Sequence, residues 1–187
     1  MAKIGLRKFV FATATVNAST GAVTYSGVTV PGKAVSFSFT PNSNDATLYA
    51  DDEIAERDTS ISGGTLTVGL DRYDEETMAA LLGHTYTENG GMVSNKDDVA
   101  PWVGFGRVVT IMQDGDIKYR ASLLTKVMFS EPADDNATKE ETTTFNTYTI
   151  EGACTADGSG NWRKQKTFDT YEAAYTWLTS LLGNASA

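Results

Sequence analysis

The pair Asp114-Gly115 lies between two long runs of strand-forming residues, Trp102 to Gln113 and Asp116 to Phe129. Asp and Gly both tolerate positive φ, which the central positions of a tight two-residue hairpin turn require. A two-residue turn places Met112 opposite Ile117, Thr110 opposite Tyr119, Val108 opposite Ala121, Gly106 opposite Leu123 and Trp102 opposite Val127. That face reads as dry, while the other mixes Phe105, Val109 and Ile111 with Lys118, Arg120 and Lys126. The second strand spans roughly 40 Å. Such length is unusual in a compact domain and suits a sheet that continues between subunits.

Around this hairpin the chain reads as mainly β. Leu6 to Thr15 is rich in Phe, Val and Thr, and Ala22 to Val30 is a second extended run broken at Ser26-Gly27. Ala34 to Thr40 alternates, with Val35, Phe37 and Phe39 on one face; Thr65 to Leu70 alternates with Leu66, Val68 and Leu70. Phe145 to Cys154 and Trp162 to Phe168 read as the last strands. Two helices flank the β material. Asp74, Glu75 and Glu76 open a short one, with Met78, Leu81 and Leu82 as its stripe and Gly83 as its C-terminal cap. The other covers 169–182, with Asp169 and Glu172 as a capping pair and Tyr171, Ala174, Tyr175, Leu178, Leu181 and Leu182 on its apolar face. The expectation is one β-sandwich or barrel-like domain over 1–187. It has an N-terminal arm (1–8), an extended loop or hairpin (41–62), polar loops at 83–100 and 131–142, and no internal repeat.

The chemistry-bearing residues exclude more than they suggest. His84 is the only histidine and Cys154 the only cysteine among 187 residues, so one chain holds no multi-His metal site, His-based triad needing a second His, or intrachain disulfide. His84 follows a helix-ending glycine and reads as a capping or packing residue, Cys154 as a small buried hydrophobe. Gly104-Phe105-Gly106 lies inside a strand, with Val109 where a nucleotide loop needs its third glycine. Asp157-Gly158-Ser159-Gly160-Asn161 reads as a turn, because Phe168 stands where an EF-hand has its closing acid. The cluster Asp51, Asp52, Glu53 and Glu56 reads as a solvated segment before it reads as a cation site. The net charge of −9 opposes nucleic-acid affinity, which needs clustered Lys and Arg. No apolar run reaches the length of a membrane span, and none at the N-terminus has the form of a signal peptide. No enzyme activity, metal or cofactor is expected.

Several of these segments together resemble the major tail tube proteins of long-tailed, siphovirus-type bacteriophages, the Gram-positive-host type above all. The resemblance is carried by Pro41-Asn42-Ser43-Asn44 with Ala46-Thr47-Leu48-Tyr49-Ala50-Asp51-Asp52, by Gly64-Thr65-Leu66-Thr67-Val68, and by Leu81-Leu82-Gly83-His84. It continues, in the same order, through Ala100-Pro101-Trp102-Val103-Gly104-Phe105-Gly106-Arg107, Tyr119-Arg120, Lys126-Val127-Met128-Phe129-Ser130-Glu131-Pro132 and Thr149-Ile150-Glu151-Gly152. It covers about Gly5 to Gly152. It implies a tail tube fold, similar to that of type VI secretion tube proteins, and a structural virion protein made in the host bacterial cytoplasm. Its subunits would form hexameric rings, stacked helically around a lumen for DNA passage during ejection. The implied partners are further copies of the chain, the tape measure, the tail terminator and the tail tip, with DNA passing unbound and no membrane. Residues expected at an assembly interface or the lumen are Asn42, Asn44, Tyr49, Asp51, Asp52, Glu53, Glu56, Arg57, Lys118, Arg120 and Lys126. The acids of 51–58 are expected to face the lumen or the next ring. A carbohydrate-binding or adhesion module on a β-sandwich is the alternative, and exposed aromatic platforms would favour it.

Overall fold

A computed structural model describes residues 2–43, 46–50, 53–58, 60–72, 74–133 and 147–183, with backbone alone at 46–50, 53–58 and 62. In chain order the elements are β1 (Ala2–Val16), β2 (Val23–Thr29), β3 (Ala34–Ser43), β4 (Ala46–Ala50), β5 (Glu53–Asp58), β6 (Ile61–Leu70), α1 (Glu75–Leu82), β7 (Thr85–Thr87) and β8 (Gly91–Val93). There follow β9 (Val103–Gln113), β10 (Asp116–Phe129), β11 (Tyr148–Thr155), β12 (Arg163–Phe168) and α2 (Tyr171–Leu181). The fold is mainly β, with two helices, as the periodicities predict.

The β9–β10 hairpin organises the rest. Asp114 and Gly115 both take positive φ, 54° and 92°, and Gln113 pairs with Asp116, so the turn has two residues. Pairing follows the expected register from Met112–Ile117 to Gly106–Leu123, and then shifts so that Val127 faces Val103 rather than Trp102. The cause is a change of partner along β10. Its first half, Tyr119 to Leu124, pairs with β12, and its last four residues, Lys126 to Phe129, pair with β11. Thr125 sits at the changeover, fully buried, donating its hydroxyl to the Asn161 carbonyl at 2.7 Å and its N–H to that of Trp162 at 3.1 Å.

The main sheet runs β2-β1-β9-β10-β11-β6-β3, with β12 on β10. It curls until an isolated bridge between Lys8 and Lys33 joins β1 to the start of β3. The enclosed side is an aromatic core. Phe105 lies 5.3 Å from Phe9, 5.5 Å from Phe129 and 6.2 Å from Phe37, measured between ring centres. Leu66, Val68, Ile150 and Leu124 fill around them, and α1 adds Met78, Leu81 and Leu82. The outer face of β9 and β10 carries a second core, in which Val108, Ala121 and Leu123 meet Ala174, Leu178 and Leu182 from α2 and its C-cap. Both faces of the hairpin are therefore covered, not one dry and one mixed. The exposed part is the tip, where Met112 and Ile117 are open to solvent.

This second core explains Gly104 and Gly106. A Cβ on Gly106 would stand 2.7 Å from Leu178, and one on Gly104 would stand 2.5 Å from Tyr25 and 2.8 Å from Leu182. The glycines let the helix and Tyr25 sit directly on the strand backbone. Tyr25 also donates its hydroxyl to the Thr125 carbonyl at 2.8 Å.

Other sequence expectations shift in place. Of the expected N-terminal arm, residues 2–8 lie in β1, which pairs with β9 from Ala2 onward. Val35 does not join Phe37 and Phe39, because a bulge between Ala34 and Ser36 turns it out to solvent. The 83–100 segment is not all loop, since β7 and β8 form a small hairpin inside it. The break at Ser26-Gly27 is a bulge with Gly27 at φ 70°, across which β2 keeps its pairing to β1. The α2 cap is Thr170, accepting from the Ala173 N–H at 3.3 Å; Asp169 turns away to Lys118. Asp157 holds its turn by accepting from the N–H groups of Ser159 and Asn161, both at 2.9 Å.

Gly63 marks the tightest backbone approach. A Cβ there would lie 2.1 Å from the Cys154 carbonyl oxygen on β11, an atom that cannot swing aside. We expect Gly63→Ala to cost about 3 kcal/mol, the upper end of ordinary overpacking. Urea denaturation reads this directly; an unchanged midpoint would mean that β6 and β11 are further apart than described.

Candidate assembly interface

The expected interface residues divide into two groups. One lies on the chain between β3 and β6. Asn42 is exposed on β3, opposite Gly63. On the β4–β5 ladder Tyr49 pairs with Ile54, Ala50 with Glu53, Leu48 with Glu56 and Thr47 with Arg57. Asn44, Asp51 and Asp52 lie outside the described residues. Of the two forms expected for 41–62, the structure has the hairpin. β3 and β6 stay paired out to Ser43–Ile61, and β4 and β5 form a two-stranded sheet of their own.

The other group lies on β10, and each of its members meets a partner within the chain. Lys118 pairs with Asp169 at 2.8 Å, and that hydrogen bond holds its pKa above the usual lysine value. Arg120 donates Nε to the Thr167 hydroxyl at 3.5 Å. Lys126 lies 4.2 Å over the Trp102 ring, on the far side of the Thr125 irregularity.

Two arrangements escaped the sequence reading. The first is a groove of about 310 Å³ between β1 and β3, lined by Lys3, Ile4, Val35, Phe37, Arg107 and Val109 among others. Arg107 forms part of its lining, with the guanidinium carbon 3.6 Å over the Phe37 ring. Burial, with the nearby Arg163 adding to it, brings its pKa down to about 10. No acid among the described residues pairs with it. The signal was present in the alternation of β9, where Arg107 is a lone cation in the row Phe105, Val109, Ile111.

The second is at His84. Its backbone N–H helps close α1, bonding the Ala79 carbonyl at 3.0 Å. Its ring lies between two carboxylates, Nδ1 at 2.8 Å from Asp98 and Nε2 at 2.8 Å from Glu131, with the side chain only 8% exposed. A neutral imidazole donates from one nitrogen only, so two carboxylates select the imidazolium. The bond to Asp98 and then that to Glu131 raise the His84 pKa above 6.5, and the Asn95 N–H followed by His84 lowers that of Asp98. A pKa raised on folding gives stabilisation that is complete below the unfolded value and fades as pH rises through the folded one. The stability gap between the parent and His84→Gln is therefore expected to be widest near pH 5–6 and to close on the alkaline side. As the only histidine, His84 gives a single imidazole signal by NMR. A titration midpoint at or below 6.5 would contradict the clasp.

Cys154 is buried, its thiol pushed up to about 11 by burial, which suits packing and not nucleophilic chemistry. No group of three or more His, Cys, Asp or Glu side chains among the described residues is placed to hold a metal ion. Among those residues no helix is long and apolar enough to cross a membrane. No protein-family model and no curated protein matches this sequence.

Proposed function

We propose that this chain is a self-assembling structural subunit, the major tube protein of a long-tailed phage tail, which forms hexameric rings that stack around a lumen for DNA. The observation that carries this reading is a two-stranded projection, β4 and β5, whose strands pair only with each other among the described residues, on a sheet with free outer edges at β2, β3 and β12. Exposed strand edges are a hazard in a protein that stays monomeric and a resource in one that polymerises. A surface that meets a different surface on its neighbour closes into a ring or runs on as a filament, and a stacked tube uses both. The −9 charge supports the reading too, since a ring multiplies it and leaves passing phosphates nothing to adhere to. The tape measure, tail terminator and tail tip are the partners that this role implies.

The test is negative-stain electron microscopy of the purified chain over a concentration series, with light scattering on the same samples. Rings or hollow tubes of uniform width are the expected result. A monodisperse monomer at every concentration, unchanged by added tail-tip components, would remove the reading.

A further inference from the structure

We propose that Asn89 is a site of spontaneous covalent modification: the Gly90 backbone nitrogen displaces the side-chain amide to form a succinimide, which water opens to aspartate and isoaspartate. Asn89-Gly90 is the one Asn-Gly pair in the sequence, and every other asparagine is followed by a residue with a side chain. The attacking nitrogen has to approach Asn89 Cγ, and a side chain on the following residue stands in its way. Glycine has none, and its backbone turns freely.

The reaction needs no co-reactant but water. Gly90 N loses its proton and bonds to Asn89 Cγ; the Cγ–Nδ2 bond breaks, and ammonia leaves with that proton. Water then adds to one of the two ring carbonyls. Addition at Cγ breaks the new bond and gives aspartate. Addition at the Asn89 backbone carbonyl breaks the original peptide bond and gives isoaspartate, in which the chain runs through Cβ and Cγ. Either product exchanges an amide for a carboxylate and takes the net charge from −9 to −10.

The fold puts the pair where this can proceed. β7 and β8 have three residues each and pair only with one another among the described residues. Thr87 faces Gly91 across the ladder, and Glu88, Asn89 and Gly90 form the exposed turn between them. In the closed turn the Gly90 N–H donates to the Thr87 carbonyl at 3.1 Å, so the reaction starts from the opened turn. A two-stranded ladder this short is marginal by itself, and exposed backbone bonds open at far less cost than the whole fold. Gly91 follows at φ 67°, so the turn opens about two consecutive glycines. Asn95, also exposed and close by, is held differently: its Oδ1 accepts from the Asp97 N–H at 3.1 Å, and Lys96 follows it.

The new carboxylate arrives beside others. Glu88 is its neighbour in sequence, and Glu75 at the start of α1 has Oε2 3.4 Å from where a Gly91 Cβ would stand. Isoaspartate also adds a methylene to the main chain of the turn, which the Thr87–Gly91 pair has to absorb. The hairpin is expected to loosen as the conversion proceeds.

The chemistry does not depend on whether the chain forms rings. Its test is incubation of the folded full chain at neutral and mildly alkaline pH, followed by digestion and peptide mass mapping. The Asn89 peptide is expected to gain the mass of an amide-to-acid change and to split into two products, one of them labelled by an isoaspartyl methyltransferase. The conversion should be at least tenfold faster than at Asn95 and should rise with pH. Isomerisation at Asp114-Gly115 or Asp157-Gly158 leaves mass unchanged and is not confused with it. Gly90→Ala should slow the conversion roughly tenfold, since its Cβ hinders the approach. That Cβ would meet only the Thr87 hydroxyl at 2.6 Å, which can rotate away, and a thermal melt checks that the variant folds. An Asn89 that stays intact in the folded chain but converts in urea would show that the closed turn protects it, and would overturn the proposal. Conversion to aspartate alone, at the same rate in G90A, would mean direct hydrolysis and would overturn the cyclic route.

Discussion

Phe105→Ala is expected to cost about 3–5 kcal/mol of folding stability. Phe105 is 1% exposed, and its ring is the one that Phe9, Phe37 and Phe129 share. Truncation loses the transfer energy of the ring and leaves a cavity that its neighbours fill only in part, because they belong to different strands, β1, β3 and β10. The ring contacts add about 0.5–1.5 kcal/mol per pair beyond area alone. For a domain of this size each kcal/mol lowers Tm by about 2–4 °C, so a fall of about 6–20 °C is expected. Phe105→Leu keeps most of the volume and should lose less than half as much. Equal losses for the two variants would mean that ring packing is not what this position contributes.

Excising the projection is expected to abolish assembly and spare the fold. Replacing residues 44–60 with Asn-Gly joins Ser43 to Ile61, which already face each other, through a two-residue turn. The change removes six acids and Arg57, taking the net charge from −9 to −4. Because β4 and β5 form a sheet of their own, the described members of the two cores all remain, and Tm should move by no more than about 2 °C, within the range of surface changes. On the ring-forming reading the same protein should stay monomeric by light scattering where the parent forms rings. Rings of normal width from the shortened chain would sink the role given to the hairpin. A large fall in Tm would show instead that the hairpin supports the cores.

The charge balance has two sides in this molecule. Acids dominate the sequence, yet the cations occupy the more confined positions: Arg107 over Phe37, Lys126 over Trp102, Lys8 4.6 Å over Tyr175. Cations resting on aromatic faces keep their charge while their stems add to the packing. Lys118, Arg120 and Lys126, expected at an interface or the lumen, each meet a partner within the chain.

What the sequence determined by itself was whatever rests on neighbours along the chain. The Asp114-Gly115 turn follows from the φ angles that those two residues accept. The register beside it, from Met112–Ile117 to Gly106–Leu123, follows from counting outward from that turn. The α2 stripe and the Gly83 cap follow from helical spacing. Tertiary structure decided wherever a residue answers to two elements at once. β10 changes partner at Thr125, so the register slips there, and no local pattern announces the handover. Gly104 and Gly106 are small because a helix some seventy residues later lies on them, and a strand's own alternation cannot report what covers its outer face. His84, Asp98 and Glu131 are separated in sequence by polar segments without periodicity, and only the packing of α1 against the end of β10 brings their charges within 2.8 Å.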